Sequence, residues 1–391
     1  MTYWSTYRPR RARRWGAVAV GAVMAASLAA CGSASSASSS SGSSGNSTPV
    51  TVNPNMPWCG PKKASIALAD GFGDNTWREL TRYSAVVQAA KCPSVTKFVY
   101  TNGQGNTQKA ISDINSLVAQ GITAIVDFPD AGKAMLPVLT KAYKAGTIVV
   151  PYRVSPGGKP GVNYNAFLST DFAQAGVLWG QDVAQALHGS GNVVFLGGPP
   201  ANSQSLEEYQ GIESVFKKYP NIHLLGQQPY NVTNWDPAYT QQVVASLLSK
   251  YSKIDAVISD FGTALAGALP QFTKAGRPIP VIATEDANSL GCDYQKLSAS
   301  NPQFKLFTVS SQTWMVEYAI RYAVALATGG KVPSSTVVPQ QNYENSVTGK
   351  PYAPQCIASL PATAIDSSGL TAAQQLAALQ GVIPTLSSLR G

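Results

Sequence analysis

Twelve residues, Asp70 to Thr81, read "DGFGDNTWRELT" directly after the apolar run "ASIALA". They set Phe72, Asn75, Trp77 and Arg78 around the start of a helical pattern. The same mixture recurs further on. Arg153 follows "TIVVPY", Trp235 sits in "NVTNWDP", and Asp260 follows "AVIS". Glu285, Asp286 and Asn288 follow "PVIAT", and Gln312 and Trp314 follow "KLFTVS". Together these side chains suit recognition of a sugar or similar polyol. Aromatic faces cover the C–H side of a ring, carboxylates and amides accept from hydroxyls, and guanidinium groups donate in a fixed fork. A buried site of this kind rejects ligands that leave its polar groups unpaired.

Covalent chemistry is less well served. There is no G-x-S-x-G elbow, and the two histidines, His188 and His223, stand in the plain settings "ALHGSG" and "NIHLL". The carboxylates invite a glycosidase reading, but arginines and aromatics accompany them throughout. "NGQGNT" lacks the lysine and the glycine spacing of a phosphate loop. An enzyme is therefore not expected, nor a cofactor. No CxxC occurs, so no metal site is expected either.

The residues just named all follow short apolar runs: 65–69, 96–101, 123–129, 147–152, 192–198, 222–227, 255–261, 280–284 and 305–311. Helical periods separate them. In "NTQKAISDINSLVAQG", Ile111, Ile114, Leu117 and Val118 recur at helical spacing, with Asn106 as cap and Gly121 as stop. This alternation predicts an α/β fold of parallel sheets with right-handed crossovers. Nine strands divide better into two doubly wound lobes than into one sheet. Ligands of such sheets bind beyond the carboxyl ends of the strands, where the mixed residues lie. Each also has a plain structural role open to it: Trp77 in a helix's inner stripe, Trp235 as a staple, Asp260 as the cap of "GTALAGAL".

The chain of 391 residues is 44% hydrophobic and only 13% charged, suited to a globular protein with ample core. Its formal charge of +9 does not imply a nucleic-acid partner. Arg8, Arg10, Arg11, Arg13 and Arg14 crowd the N-terminus, and no basic cluster with interleaved aromatics follows. That basic segment precedes the apolar run Trp15–Ala30, short for a membrane span. The run ends "LAAC", which resembles a bacterial lipobox and implies a signal peptide over 1–30 and lipidation of Cys31. Residues 32–48, "GSASSASSSSGSSGNST", form a Ser/Gly-rich tether, so 31–61 reads as anchor and spacer. The protein is expected outside the cytoplasm, held to the cell membrane through Cys31. The other four cysteines, Cys59, Cys92, Cys292 and Cys356, suggest disulfides in an exported chain. Three pairings exist; Cys59–Cys92 with Cys292–Cys356 closes the shortest loops and is preferred.

Over residues 62–340 the chain resembles the type I periplasmic sugar-binding proteins of ABC importers, the ribose-binding group. "GDNTWREL" places Asn75 and Trp77 where that family has a sugar-contacting Asn and aromatic. "VVPYR" stands at its strand ending in Asp-Arg, and "LSTDFAQAG" resembles its lobe-crossing segment. "NWDP", "AVISDFGTALAGAL" and "VIATEDAN" match its aromatic segment, its strand–polar–helix step and its strand ending in a ligand-contacting acid. Tyr152, Leu206, Asp260 and Arg78 depart from the ribose pattern, which argues against ribose bound in the standard way. The resemblance implies an N-lobe of 62–170 plus 312–336, and a C-lobe of 171–311 plus 337–391 that includes a C-terminal extension. Three segments would form the hinge, and each disulfide would lie within one lobe. It further implies a monomer that closes on its ligand and delivers it to an ABC permease and its ATPase. A sensory protein reporting to a receptor is the alternative.

Overall fold

The computed structural model describes residues 51, 53 and 55–391; the signal-peptide and Cys31 readings lie outside the described residues. The first lobe is built by repeated strand–helix steps: β1 (Ala64–Asp70), α1 (Thr76–Ala90), β2 (Val95–Asn102), α2 (Thr107–Ala119), β3 (Ala124–Phe128), α3 (Leu136–Lys144) and β4 (Ile148–Pro151). Its strands pair in parallel in the order β2-β1-β3-β4. Helices on both faces explain why β1 and β3 are almost wholly buried and read as unbroken apolar runs. Asn75 and Asn106 cap α1 and α2 by accepting the N–H groups of Arg78 and Lys109, each satisfying a donor that the helix start leaves free.

The second lobe follows with β5 (Ser169–Thr170), α4 (Phe172–Ala186), β6 (Ser190–Gly197), α5 (Ser203–Phe216), β7 (Asn221–Leu225), β8 (Asn231–Val232), α6 (Pro237–Lys250) and β9 (Ala256–Ser259). It continues with α7 (Gly262–Ala268), α8 (Pro270–Lys274), β10 (Val281–Glu285), α9 (Asn288–Leu297) and β11 (Leu306–Val309). The chain then returns to the first lobe as α10 (Met315–Thr328), whose Met315, Ala319, Ile320 and Ala323 share a core with Ile66 and Leu80. After it come β12 (Val337–Val338), β13 (Asn342–Asn345), α11 (Ala372–Leu379) and α12 (Leu386–Arg390). Among the described residues the second sheet runs β13-β11-β10-β9-β6-β7, with β8 beside β6 and β13 antiparallel to β11. Two of the three crossings between lobes are pinned together by the parallel pair β5–β12. The third is the stretch 310–314 between β11 and α10. The fold is therefore two doubly wound parallel-sheet lobes on a three-segment hinge. None of the described helices is long and apolar enough to cross a membrane.

The C-terminal extension departs from its expected place. The sequence reading assigned 337–391 to the second lobe, and its first part does sit there, through β13 and Cys292–Cys356. Its last part packs on the first lobe instead: Ile365 and Ala378 join the core of Trp77 and Leu80, and Leu389 packs with Val86 and Ala90. The cause is local. α1 has an apolar outer face needing cover, and its C-terminal carbonyls need donors. Arg390 supplies one, reaching the carbonyl of Ala90 at 2.9 Å, and also bonds those of Cys92 at 2.6 Å in the turn after α1 and Val95 at 2.8 Å at the start of β2.

The pairs Cys59–Cys92 and Cys292–Cys356 are both formed, with Cα separations of 5.5 and 4.3 Å. Replacing Cys59 and Cys92 together by Ser is expected to cost about 3–4 kcal/mol, since the loop they close no longer restricts the unfolded chain; denaturant unfolding measures it. The extension also buries acids against one another. Burial pushes Asp366 up to about 8, helped by Asp286 and Glu344, and pushes Glu344 up to about 7 against its bond from the Gln355 N–H. Carboxyls raised on folding stabilise fully below their unfolded values near 4, and that contribution is lost as pH rises through 7–8. The melting temperature should therefore fall between pH 5 and pH 9, and Asp366→Asn should flatten the decline. An unchanged slope in that variant would contradict the assignment.

Candidate functional site

The carboxyl ends of both sheets face one another across a small cavity lined by residues of both lobes. β1 delivers Asn75, Trp77 and Arg78 at the start of α1; β3 ends in Phe128; β4 runs into Arg153. From the second lobe come Gln204 at the start of α5, Trp235 before α6, Asp260 and Phe261 after β9, and Glu285 at the end of β10. Four non-glycine residues here and in the hinge hold left-handed backbone: Arg153 (φ 60°), Asn234 (56°), Trp235 (53°) and Gln312 (48°). Such strain persists only where surrounding contacts over-determine it.

Phe128 is the centre of the aromatic wall. Its ring meets Trp77, Tyr152 and Trp235 edge to face at centroid distances of 5.7, 5.3 and 6.2 Å. The Arg78 guanidinium lies over its face at 3.5 Å and pairs with Asp130 at 2.6 Å and Asp70 at 3.2 Å. Burial alone would lower the Arg78 pKa, but Asp130 and Asp70 outweigh it and the net shift is upward. The second arginine ties the lobes. Arg153 Nη2 pairs with Glu285 at 2.8 Å, with both side chains under 5% exposed. Its Nη1 donates to the Ser311 carbonyl at 3.0 Å, which also accepts Trp77 Nε1 at 2.9 Å. Burial raises Glu285 and Arg153 opposes it; at this distance the pair is an ionic one. The Ser155 N–H, donating to Ser203 Oγ at 2.8 Å, adds a second bond between lobes.

On the second lobe Asp260 Oδ2 accepts from Ser205 Oγ at 2.7 Å and the Gly198 N–H at 3.1 Å. Burial pushes its pKa up to about 6, against the Ser205, Trp235 and Gly198 donors. Asp260 Oδ1 and the Trp235 indole N–H are buried without a well-aligned hydrogen bond. They lie close enough for the N–H to favour the carboxylate's charge. Gly198 lets the indole lie flat on the chain, because a Cβ there would collide with it. Gln204 Nε2 donates to Glu208 at 3.2 Å, and Glu208 is raised well above the ordinary carboxylate range by burial.

Of the sequence-derived site residues, Asn75, Trp77, Arg78, Arg153, Trp235, Asp260 and Glu285 line this cavity. Five stand elsewhere. Phe72 lines an adjoining pocket with Asn234 and Asp130. Asp286 turns away from the cavity to accept from Ser311 and Ser367. Asn288 holds the extension, accepting the Ile357 N–H at 2.8 Å and donating to its carbonyl at 3.1 Å. Gln312 is a hinge residue, accepting from Thr170 and donating to the Pro339 carbonyl. Trp314 packs on Tyr318, 5.7 Å between centroids. Asp260 is not the cap of α7, which starts at Phe261 without a side-chain cap. Phe128, Gln204 and Phe261 complete the wall. Gln204 and Phe261 follow strands, within reach of the rule that pointed to Arg153, whereas Phe128 is the last residue of its strand in "TAIVDFP". Among the described residues no cluster of His, Cys, Asp or Glu is arranged to hold a metal ion.

A family model described as a periplasmic binding protein domain matches residues 66–331. The chain is 25% identical over 191 residues to the xylitol-binding protein of Mycolicibacterium smegmatis, covering 48% of this chain and 53% of the relative. It thus spans about half the length of the curated relatives it matches. Among solved structures, a galactofuranose-binding protein superposes with a TM-score of 0.64 at 20% identity, over 72% of this chain and 94% of its own. The Caulobacter myo-inositol-binding protein gives 0.64 at 18%, over 72% and 93%. These likenesses extend to the fold, and the family is one of binding proteins rather than enzymes. On the extent of the family match, this chain belongs to the periplasmic binding protein domain family.

Proposed function

We propose that the protein captures a small uncharged sugar or polyol in the cavity between its lobes and hands it to an ABC permease. The observation that carries this reading is that the Trp235 N–H and Asp260 Oδ1, a donor and an acceptor without a well-aligned hydrogen bond, are buried together in an aromatic-walled cavity. Buried polar atoms ordinarily find partners, and adjacent hydroxyls of a polyol offer both. The charges support a neutral ligand: Arg78 is matched by Asp70 and Asp130, and Arg153 by Glu285, so no cation is left over for an anionic substrate. Ligand contacts from both lobes favour the closed state over the open one, which is the condition for hinge closure. Lipidation at Cys31 and the Ser/Gly tether would hold the protein outside the cell within reach of the permease. Names of relatives, a xylitol-binding and a D-xylose-binding protein, support the ligand class.

A thermal-shift screen against xylitol, D-xylose, myo-inositol and common hexoses tests the reading. A ligand of this class at a hundred times its Kd adds about 2.7 kcal/mol, a clear rise in melting temperature. Absence of a shift with every polyhydroxylated compound overturns it. Asp260→Asn should weaken binding at least about tenfold, since it removes a charged acceptor, with little change in ligand-free melting. Affinity of the unaltered protein should weaken as pH falls through about 6, where protonation of Asp260 removes that acceptor; calorimetric titration at pH 5 and 7.5 reads it.

A further inference from the structure

We propose that Ser367, in the C-terminal extension, is a positioning residue for the cavity: through Asp286 and the Ser311 peptide it fixes Trp77 and Arg153, and the extension thereby straps the lobes closed. The extension is first fastened to the second lobe. Cys356 is bonded to Cys292, the Asn288 and Ser289 N–H groups donate to the carbonyls of Ala364 and Ala362, and the Asn288 side chain holds Ile357. It then crosses the hinge. Ser367 donates its N–H to Asp286 Oδ2 at 2.7 Å and its hydroxyl to Asp286 Oδ1 at 2.6 Å. Asp286 Oδ1 also accepts the Ser311 N–H at 2.7 Å, and Ser310 Oγ donates to Ser367 Oγ at 2.9 Å.

The other side of the Ser311 residue is the cavity, since its carbonyl accepts both Trp77 Nε1 and Arg153 Nη1. Ser367 thus stands three hydrogen bonds from two side chains that line the site, without touching it. Beyond the crossing, the extension ends on α1, the helix that carries Trp77 and Arg78, with Arg390 on its last carbonyls. Both ends of the strap are held, one on each lobe. Separating the lobes requires breaking the Ser367–Asp286–Ser311 link or lifting α11 and α12 from α1. The family match ends at residue 331, so the strap lies outside the matched domain.

A role in merely covering α1 predicts something different, and the test separates the two. Ser367→Ala leaves α11 and α12 in place and removes only the hydroxyl link; Ser367→Thr restores a hydroxyl. Small-angle scattering of the whole ligand-free protein should give a compact, closed profile for the unaltered chain, a larger radius of gyration for Ser367→Ala, and a return toward compact for Ser367→Thr. Superimposable profiles for Ser367→Ala and the unaltered chain overturn the proposal. If Ser367→Ala does not fold, Arg390→Ala, which loosens the far end of the strap, is read in the same way. A second arm rests on the proposed function: affinity for xylitol should fall about tenfold in Ser367→Ala, with ligand-free melting nearly unchanged. Failure of xylitol to bind the unaltered chain counts against the ligand assignment, while the scattering arm still decides the strap.

Discussion

The closed arrangement depends on where Arg153 can put its charge. The guanidinium is buried, its backbone is left-handed, and its two partners lie on different parts of the molecule: Glu285 on the second lobe and the Ser311 carbonyl in the hinge. A buried charge that loses its partner costs about 3–5 kcal/mol, so the pair resists separation as long as water is excluded. When the lobes part, both groups are rehydrated and the cost disappears. The contact is therefore a catch rather than a rivet. It is strong in the closed cavity and nearly free to break once solvent enters.

The same cavity limits what can be bound. Burial disfavours charged acids around it, and Asp127 and Glu208, which lie behind its wall, are driven well above the usual carboxylate range. Asp260, held by the Ser205 hydroxyl and the Gly198 N–H, forms part of the polar edge of the site. Arg78 differs from a simple ligand hook. It is spread over Phe128 and held by two carboxylates, a desolvated cation–π contact of roughly 2 kcal/mol. Its fixed plane forms part of the cavity wall on the first-lobe side.

The parallel sheets, the cap at Asn106, and the seven cavity residues at the start of α1, after β4 and β9, at the end of β10 and in the 233–236 loop were legible because each depends on a few neighbouring residues. A strand of unbroken apolar residues, a polar residue where it stops and a helical period after it constrain one another locally. What could not be read rests on partners distant in sequence. Asp286 and Asn288 look like Glu285 as text, on the same turn after the same strand, but their partners are Ser367 and Ile357, some seventy to eighty residues on. Gln312 likewise answers to Thr170 and Pro339. Phe128 was passed over because it ends an apolar strand, where an aromatic reads as core. It is core, and its face is also wall. The extension's return to α1 had no local signal at all, since a short Ala/Leu helix fits any apolar face.

That extension changes how the hinge has to be understood. In a protein whose lobes are joined only by three crossings, the closed state without ligand is favoured by whatever cavity contacts survive in water. Here a fourth path runs from the disulfide at Cys292 along the chain through Ser367 to α11 and α12, which are held on α1 by packing and hydrogen bonds. Apparent affinity is the intrinsic affinity scaled by the fraction of molecules already competent, so a strap that raises the closed fraction tightens binding without touching the ligand. The same term opposes release, because the ligand then leaves from a state stabilised independently of it. If the ligand is handed on as proposed, the receiving partner has to engage the lobes in the open arrangement and supply the free energy to part them, and the strength of the strap sets how much it has to supply.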